Sequence, residues 1–206
     1  KSSADIAISS YYHSYFSKKN SKILISIARA GNVIGGGDWS PNRIVTDCIK
    51  SWSKNKKAKI RNPKSTRPWQ HVLDVVNGYT QLAIKLNQNS KLNGEAFNFG
   101  PGAAQDETVA DLIESMTQRW DGARWEITPG SEMAGLEASL LKLSCDKALR
   151  MLDWHAVLPF TETIELTIDW YRSWHVADGD LRQITIDQIE RYTASAGHAG
   201  VAWARS

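Results

Sequence analysis

The run Ile23-Leu24-Ile25-Ser26-Ile27-Ala28 constrains the fold of this 206-residue chain more than any other stretch. Three isoleucines and a leucine in six residues, without alternation, do not suit a strand with one wet face. They suit a short strand covered on both sides, as in a parallel sheet. Parallel neighbours need crossover segments, usually helical. The run empties into Gly31-Asn32-Val33-Ile34-Gly35-Gly36-Gly37, read as a glycine-rich loop, and Ile44, Val45, Cys48, Ile49 and Trp52 then mark an amphipathic helix.

The same alternation continues along the chain. A helix carrying Ile8, Tyr11, Tyr12, Tyr15 and Phe16 precedes the first strand. Short strands are expected near Lys59–Arg61, Glu95–Phe99, Trp125–Thr128 and Leu140–Leu143. Helices are expected over Val75–Leu86, Val109–Trp120, from Asp146, and over Ile164–Trp174. Thr185-Ile186-Asp187-Gln188 reads as a capping box opening a last helix, and Ala194–Ser206, small and aperiodic, reads as a loose tail. Strands alternating with helices give an α/β fold with a mainly parallel sheet.

Composition closes off several classes. Nine Trp and 42% hydrophobic residues exclude disorder. The apolar runs are too short for a helical membrane span, and no signal-peptide pattern is visible, so the cytoplasm is the expected compartment. Cys48 and Cys145 alone make neither a disulfide framework nor a cysteine-rich zinc module. His13, His71, His155, His175 and His198 lie too far apart for a local metal motif, and no metal is expected. GxSxG, HExxH, CxxC, GxGxxG and P-loop patterns are absent.

Charge is unevenly spread. Residues 1–67 hold 14 Lys+Arg against 3 acids, net +11, whereas residues 68–206 hold 11 against 19, net −8. Lys54, Lys56, Lys57 and Lys59 lack interleaved aromatic or arginine residues, so they are read as a solvated loop and nucleic acid is not an expected partner. A smaller anion, such as a diphosphate, suits the basic part better.

Two segments carry more than folding asks for. Ala28–Trp39 sets an amide, Asn32, and three glycines at the end of a strand; Gly35–Gly37 is either a tight turn or a place where a ligand approaches the backbone. The second segment is Ile60-Arg61-Asn62-Pro63 followed by Arg67-Pro68-Trp69-Gln70-His71-Val72. A guanidinium grips phosphate through two parallel hydrogen bonds, which favours Arg67 as a phosphate ligand over a surface ion pair. Trp69 is either core or a flat surface for a base or sugar, and His71 offers a hydrogen-bonding edge.

ARAGNVIGGGDW (28–39), IRNP (60–63) and RPWQHVLD (67–74) resemble the CDP-glucose 4,6-dehydratase family of the extended short-chain dehydrogenase/reductase superfamily. NFGP (98–101), EASLLKLSCDKA (137–148) and WYRSWHVADGDLRQITIDQIERY (170–192) resemble it too, in order, to about Tyr192. The resemblance implies the C-terminal portion of an NAD(P)-binding Rossmann-type fold plus the smaller α/β substrate-binding domain. Residues 1–38 would end the Rossmann domain, 39–193 would form mainly the nucleotide-sugar domain, and 194–206 the tail.

It also implies NAD as cofactor, a nucleotide sugar (CDP-glucose) as substrate and a homodimer of the full-length enzyme. Lys1 would be the lysine of the family's YxxxK motif, with a catalytic and a cofactor-binding role, so the chain is expected to be a C-terminal piece, inactive alone. In the family's reaction NAD takes hydride from C4 of the sugar, water leaves across C5 and C6, and hydride returns to C6. Asn32 and the Asn42-Arg43-Ile44 stretch would contact the diphosphate and base region, Arg67 the diphosphate, and His71 the nucleoside. Asn98 would supply another substrate-site amide. Two positions depart from the family: Leu136 stands where a histidine is usual, and acid and serine are exchanged in Leu143-Ser144-Cys145-Asp146-Lys147-Ala148, an exchange expected to leave the following helix capped.

Overall fold

In the computed structural model, residues 2–18, 21–128, 142–176 and 179–205 are described. Among the described residues, six short strands form three parallel ladders. β1 (Ile27–Ala30) pairs with β5 (Ala96–Phe99), β2 (Asn32–Ile34) with β4 (Trp69–His71), and β3 (Ala58–Ile60) with β6 (Trp125–Ile127). The fold is α/β with parallel pairing, as the alternation of elements predicts.

The first strand sits later than its apolar run. Ile23 is exposed, and the ladder begins only at Ile27, opposite Ala96. Before it, the backbone is tied to the approach to β5 by single bonds. The Ile25 N–H donates to Asn93 Oδ1 at 2.8 Å, and the Gly94 N–H to the Ile25 carbonyl at 2.7 Å. Hydrophobicity located the segment, but ladder geometry, set by Glu95–Phe99, decides where pairing starts.

α2 (Ile44–Trp52), β3, β4, α4 (Val109–Thr117) and α6 (Phe160–His175) meet in the largest core. Ile49, Leu112, Ile113, Ile168 and Tyr171 are its fully buried centre. A second core joins α3 (Val72–Gln88), β5 and α5 (Asp146–Leu152) around Phe97, Phe99, Leu152 and Trp154. The start of α4 is closed by a reciprocal cap. The Thr108 hydroxyl accepts from the Asp111 N–H at 3.1 Å, and the Asp111 carboxylate accepts from the Thr108 N–H at 2.8 Å. Replacing Thr108 with alanine is expected to lower stability by about 1 kcal/mol, measured by urea unfolding.

Three expectations are corrected. The chain beyond Ala194 is not loose: α7 (Leu181–His198) runs through it, and Ala196 and Val201 are buried with Tyr192, Leu158 and Leu166. Small residues there allow close packing rather than looseness; a Cβ on Gly197 would lie 2.9 Å from the Ala204 carbonyl oxygen. α7 does not open at Thr185 either. Asp180 caps it, accepting from the Arg182 and Gln183 N–H groups, while Thr185 and Gln188 serve contacts with α6. Finally, Cys145 precedes α5 and gives it no side-chain cap. The strand expected over 140–143 falls partly outside the described residues, and Lys142 and Leu143 are not in a strand. α1 (Ser2–Tyr11) continues into a π-turn through Phe16 and buries none of its residues.

Candidate functional site

The two segments singled out in the sequence are brought side by side. β2 comes from the glycine-rich stretch and β4 from RPWQHV, with Asn32 opposite Trp69 and Ile34 opposite His71. β2 along its length and Trp69 at the start of β4 border a cavity of about 730 Å³ between β2, α2 and β3. Asn32, Asn42, Arg43, Ile44 and Arg67 all line it. His71 and Asn98 do not. Lys1 and Leu136 lie outside the described residues.

The cavity is basic. Arg43, Lys56, Lys57, Lys59, Arg61 and Arg67 border it, against Asp38 and Asp47. The lysines expected to form a solvated loop are therefore partly misread. Lys59 lies on β3 and Lys57 just before it; both are exposed at the cavity edge, where Lys57 pairs with Glu126 at 3.1 Å. Arg67 donates to the Thr66 carbonyl at 2.7 Å, which helps fix its guanidinium at the lining.

α2 adds a second source of positive potential. It starts after Arg43, whose side chain makes no cap, and Ile44, Val45 and Thr46 line the cavity. The first N–H groups of a helix lack intrahelical acceptors and attract anions. Asn42 turns the chain into this helix with φ of 60°, a left-handed conformation that asparagine tolerates.

His71 is buried behind the site. Its Nδ1 accepts from the Leu73 N–H at 3.3 Å and so caps α3, while Nε2 has no partner. A Cβ on Gly35 would sit 3.7 Å from that Nε2, so the imidazole backs directly onto the lining glycine. Burial lowers its pKa to about 4, which keeps the ring neutral at pH 7. Asn98 donates to the Ser144 carbonyl at 3.1 Å and joins β5 to the entry of α5. Trp69 is both core and lining, buried with an indole N–H that has no partner.

The glycines divide their roles. Gly35 lines the cavity, but Gly36 is pressed against Trp170 of α6, where a Cβ would lie 2.1 Å from the indole Cγ. Gly37 has φ of 84° and turns the chain. Cys48, in the lining, is no nucleophile: burial pushes its thiol up to about 12. Among the described residues no group of His, Cys, Asp and Glu could hold a metal ion, and no helix is long and apolar enough to cross a membrane.

No protein-family model matches the chain. CDP-glucose 4,6-dehydratase of Salmonella typhimurium is 37% identical over 178 residues, which is 84% of this chain and 49% of that protein. Among solved structures, UDP-glucuronic acid 4-epimerase of Bacillus cereus, in complex with UDP-glucuronic acid and NAD, superposes with a TM-score of 0.62 at 18% identity. It covers 82% of this chain and 50% of that one. dTDP-glucose 4,6-dehydratase of Bacillus anthracis, in complex with NAD, gives 0.62 at 18% identity over 84% and 50%. UDP-glucose 4-epimerase of Thermotoga maritima, with UDP-glucose, gives 0.65 at 20% identity over 84% and 52%. The chain spans about half the length of each.

The chain shares its fold with these nucleotide-sugar epimerases and dehydratases over the aligned portions. In sequence it is similar to CDP-glucose 4,6-dehydratase over most of its length.

Proposed function

We propose that the chain is the nucleotide-sugar-binding part of an NAD-dependent CDP-glucose 4,6-dehydratase. The observation that carries this reading is the β2–β4 pairing, which sets both family-like segments on one basic cavity. The diphosphate lies between the Arg67 guanidinium and the opening turn of α2. A bidentate grip and free backbone N–H groups there neutralise its charge. Asn32 and Asn42 offer amides to the sugar nucleotide, and Arg43 adds charge at the mouth. His71 and Asn98 act from behind: one fixes the start of α3 under Gly35, the other holds β5 against the Ser144 carbonyl.

NAD, when bound, supplies the reversible hydride acceptance that dehydration across C5 and C6 requires. In this chain the reading assigns only Lys1 to it. A homodimer of the whole enzyme belongs to the same reading; the exposed Ile6, Tyr11 and Tyr15 of the N-terminal helical segment supply an apolar face for it.

Titration calorimetry with CDP-glucose, dTDP-glucose and UDP-glucose tests the assignment. The chain is expected to bind CDP-glucose in preference to the other two, and Arg67→Ala to weaken that binding about thirtyfold, as loss of a charge-assisted contact of about 2 kcal/mol does. Equal binding of all three nucleotides, or none of any, would remove the assignment.

A further inference from the structure

The turn that carries Asn42 and Arg43 to the cavity is held from an unexpected side. The Asp38 carbonyl oxygen accepts two hydrogen bonds, from Thr46 Oγ1 at 2.7 Å and from Tyr171 Oη at 2.7 Å. A carbonyl oxygen has two lone pairs, so these two donors saturate it. The next carbonyl, of Trp39, accepts from Lys50 Nζ at 2.9 Å. The Asp38 carboxylate accepts from the Ser40 N–H at 2.9 Å, chiefly for which its carboxyl stays below the usual range.

Aromatic packing reinforces the same point. The Trp39 ring meets Tyr171 edge-on at 5.2 Å and Trp174 at 4.5 Å. Thr46, on α2, and Tyr171, in the middle of α6, are both buried, and Tyr171 lies 133 positions from Asp38 in sequence. Asn42 and Arg43 themselves are exposed. The Arg43 carbonyl accepts from the Asp47 N–H at 2.8 Å, and the approach to it is held through the Asp38 and Trp39 carbonyls.

We propose that Tyr171 and Thr46 are positioning residues for nucleotide-sugar binding: by jointly holding the Asp38 carbonyl they fix the turn that presents Asn42, Arg43 and the start of α2. The inference rests on the cavity being the nucleotide-sugar site. Both residues line the cavity, but their hydroxyl protons are engaged by the Asp38 carbonyl. Each removes conformational freedom from a loop that would otherwise be ordered at the expense of binding.

Tyr171→Phe deletes one donor and keeps the ring, and Thr46→Val deletes the other at nearly constant volume. Each is expected to weaken CDP-glucose binding by this chain about fivefold, the scale of one hydrogen bond. The double variant loses more than the two single losses combined, because only then is the carbonyl left without a donor. Amide exchange of residues 39–44 should accelerate in both single variants while that of β5 and α4 stays unchanged, a pattern that general destabilisation would not give. Unaltered binding, or exchange that rises uniformly over the chain, overturns the proposal. Absence of CDP-glucose binding by the unsubstituted chain overturns the functional reading and this proposal with it; undiminished binding by Tyr171→Phe overturns the positioning role alone.

Discussion

Gly36→Ala is expected to destabilise the protein by about 3 kcal/mol, the upper part of the range for overpacking a filled site. The new methyl would lie 2.1 Å from Trp170 Cγ, 2.3 Å from Cδ2 and 2.6 Å from Cβ. The last of these distances matters most. A ring alone can swing, but Cβ is fixed to the backbone, so relief requires α6 itself to move. α6 is locked by buried Ile164, Ile168 and Tyr171, and Trp170 Nε1 donates to Thr185 Oγ1 at 3.0 Å, which ties it to α7. Gly102 provides the control. A Cβ there meets nothing within 4 Å, and Gly102→Ala should be neutral or slightly stabilising through the unfolded chain. Urea unfolding of Gly36→Ala in the parent and in a Trp170→Ala background separates the clash from any effect on the turn. The part of the penalty set by the indole should vanish there, while the part set by the β-carbon, which alanine retains, should persist. A Gly36→Ala variant as stable as the parent would remove the packing account of this glycine.

That result also bears on what could be read from the sequence. The triple glycine was legible as a special place, but not as three different jobs, because Trp170 lies far along the chain and nothing local points to it. α2, α3, α4 and α6 were legible because each sustains an apolar period over two turns or more, and tertiary packing follows that stripe. β2 and β4 were not. Each has three residues, too few for a period, and a strand of that length is defined by its partner rather than by its own side chains. Their pairing is nevertheless the event that makes the site, uniting Asn32 with the Arg67–His71 segment. The lysines around β3 illustrate the same limit: they are exposed, as their charge suggests, but only the fold shows that Lys56, Lys57 and Lys59 border the cavity. Tyr171 and Thr46 carried no signal, since a buried tyrosine and threonine on amphipathic helices look like core until the Asp38 carbonyl is placed between them.

Acidification from pH 7 to pH 4 is expected to remove about 3 kcal/mol of stability through His71 alone. Its ordinary pKa is 6.5, and burial lowers it to about 4 in the folded protein. Between those values the unfolded chain binds a proton that the folded chain refuses, so stability falls as pH drops, by about 1.4 kcal/mol for each unit of separation. Asp74 pulls the other way. This carboxyl is buried and accepts from the Val157 N–H at 2.8 Å, the Leu158 N–H at 3.3 Å and the Tyr192 hydroxyl at 2.9 Å. Desolvation raises its pKa above the ordinary value despite those donors and the nearby charge of His155. The folded state therefore takes up that proton more readily than the unfolded one, and this term gains stability as pH falls through the raised range toward 3.8. The observed profile is the difference of the two, so the parent curve alone does not isolate either. His71→Asn does. Asparagine caps helices well and offers an oxygen to the Leu73 N–H, yet it does not titrate, and Asp74 is left in place. Asparagine fills the site less completely, so the variant should start lower at pH 7, and the gap between variant and parent should narrow as pH falls from 6.5 to 4. Parallel curves across that interval would mean that His71 accepts its proton in the folded state without penalty, and the neutral imidazole behind Gly35 would have to be given up.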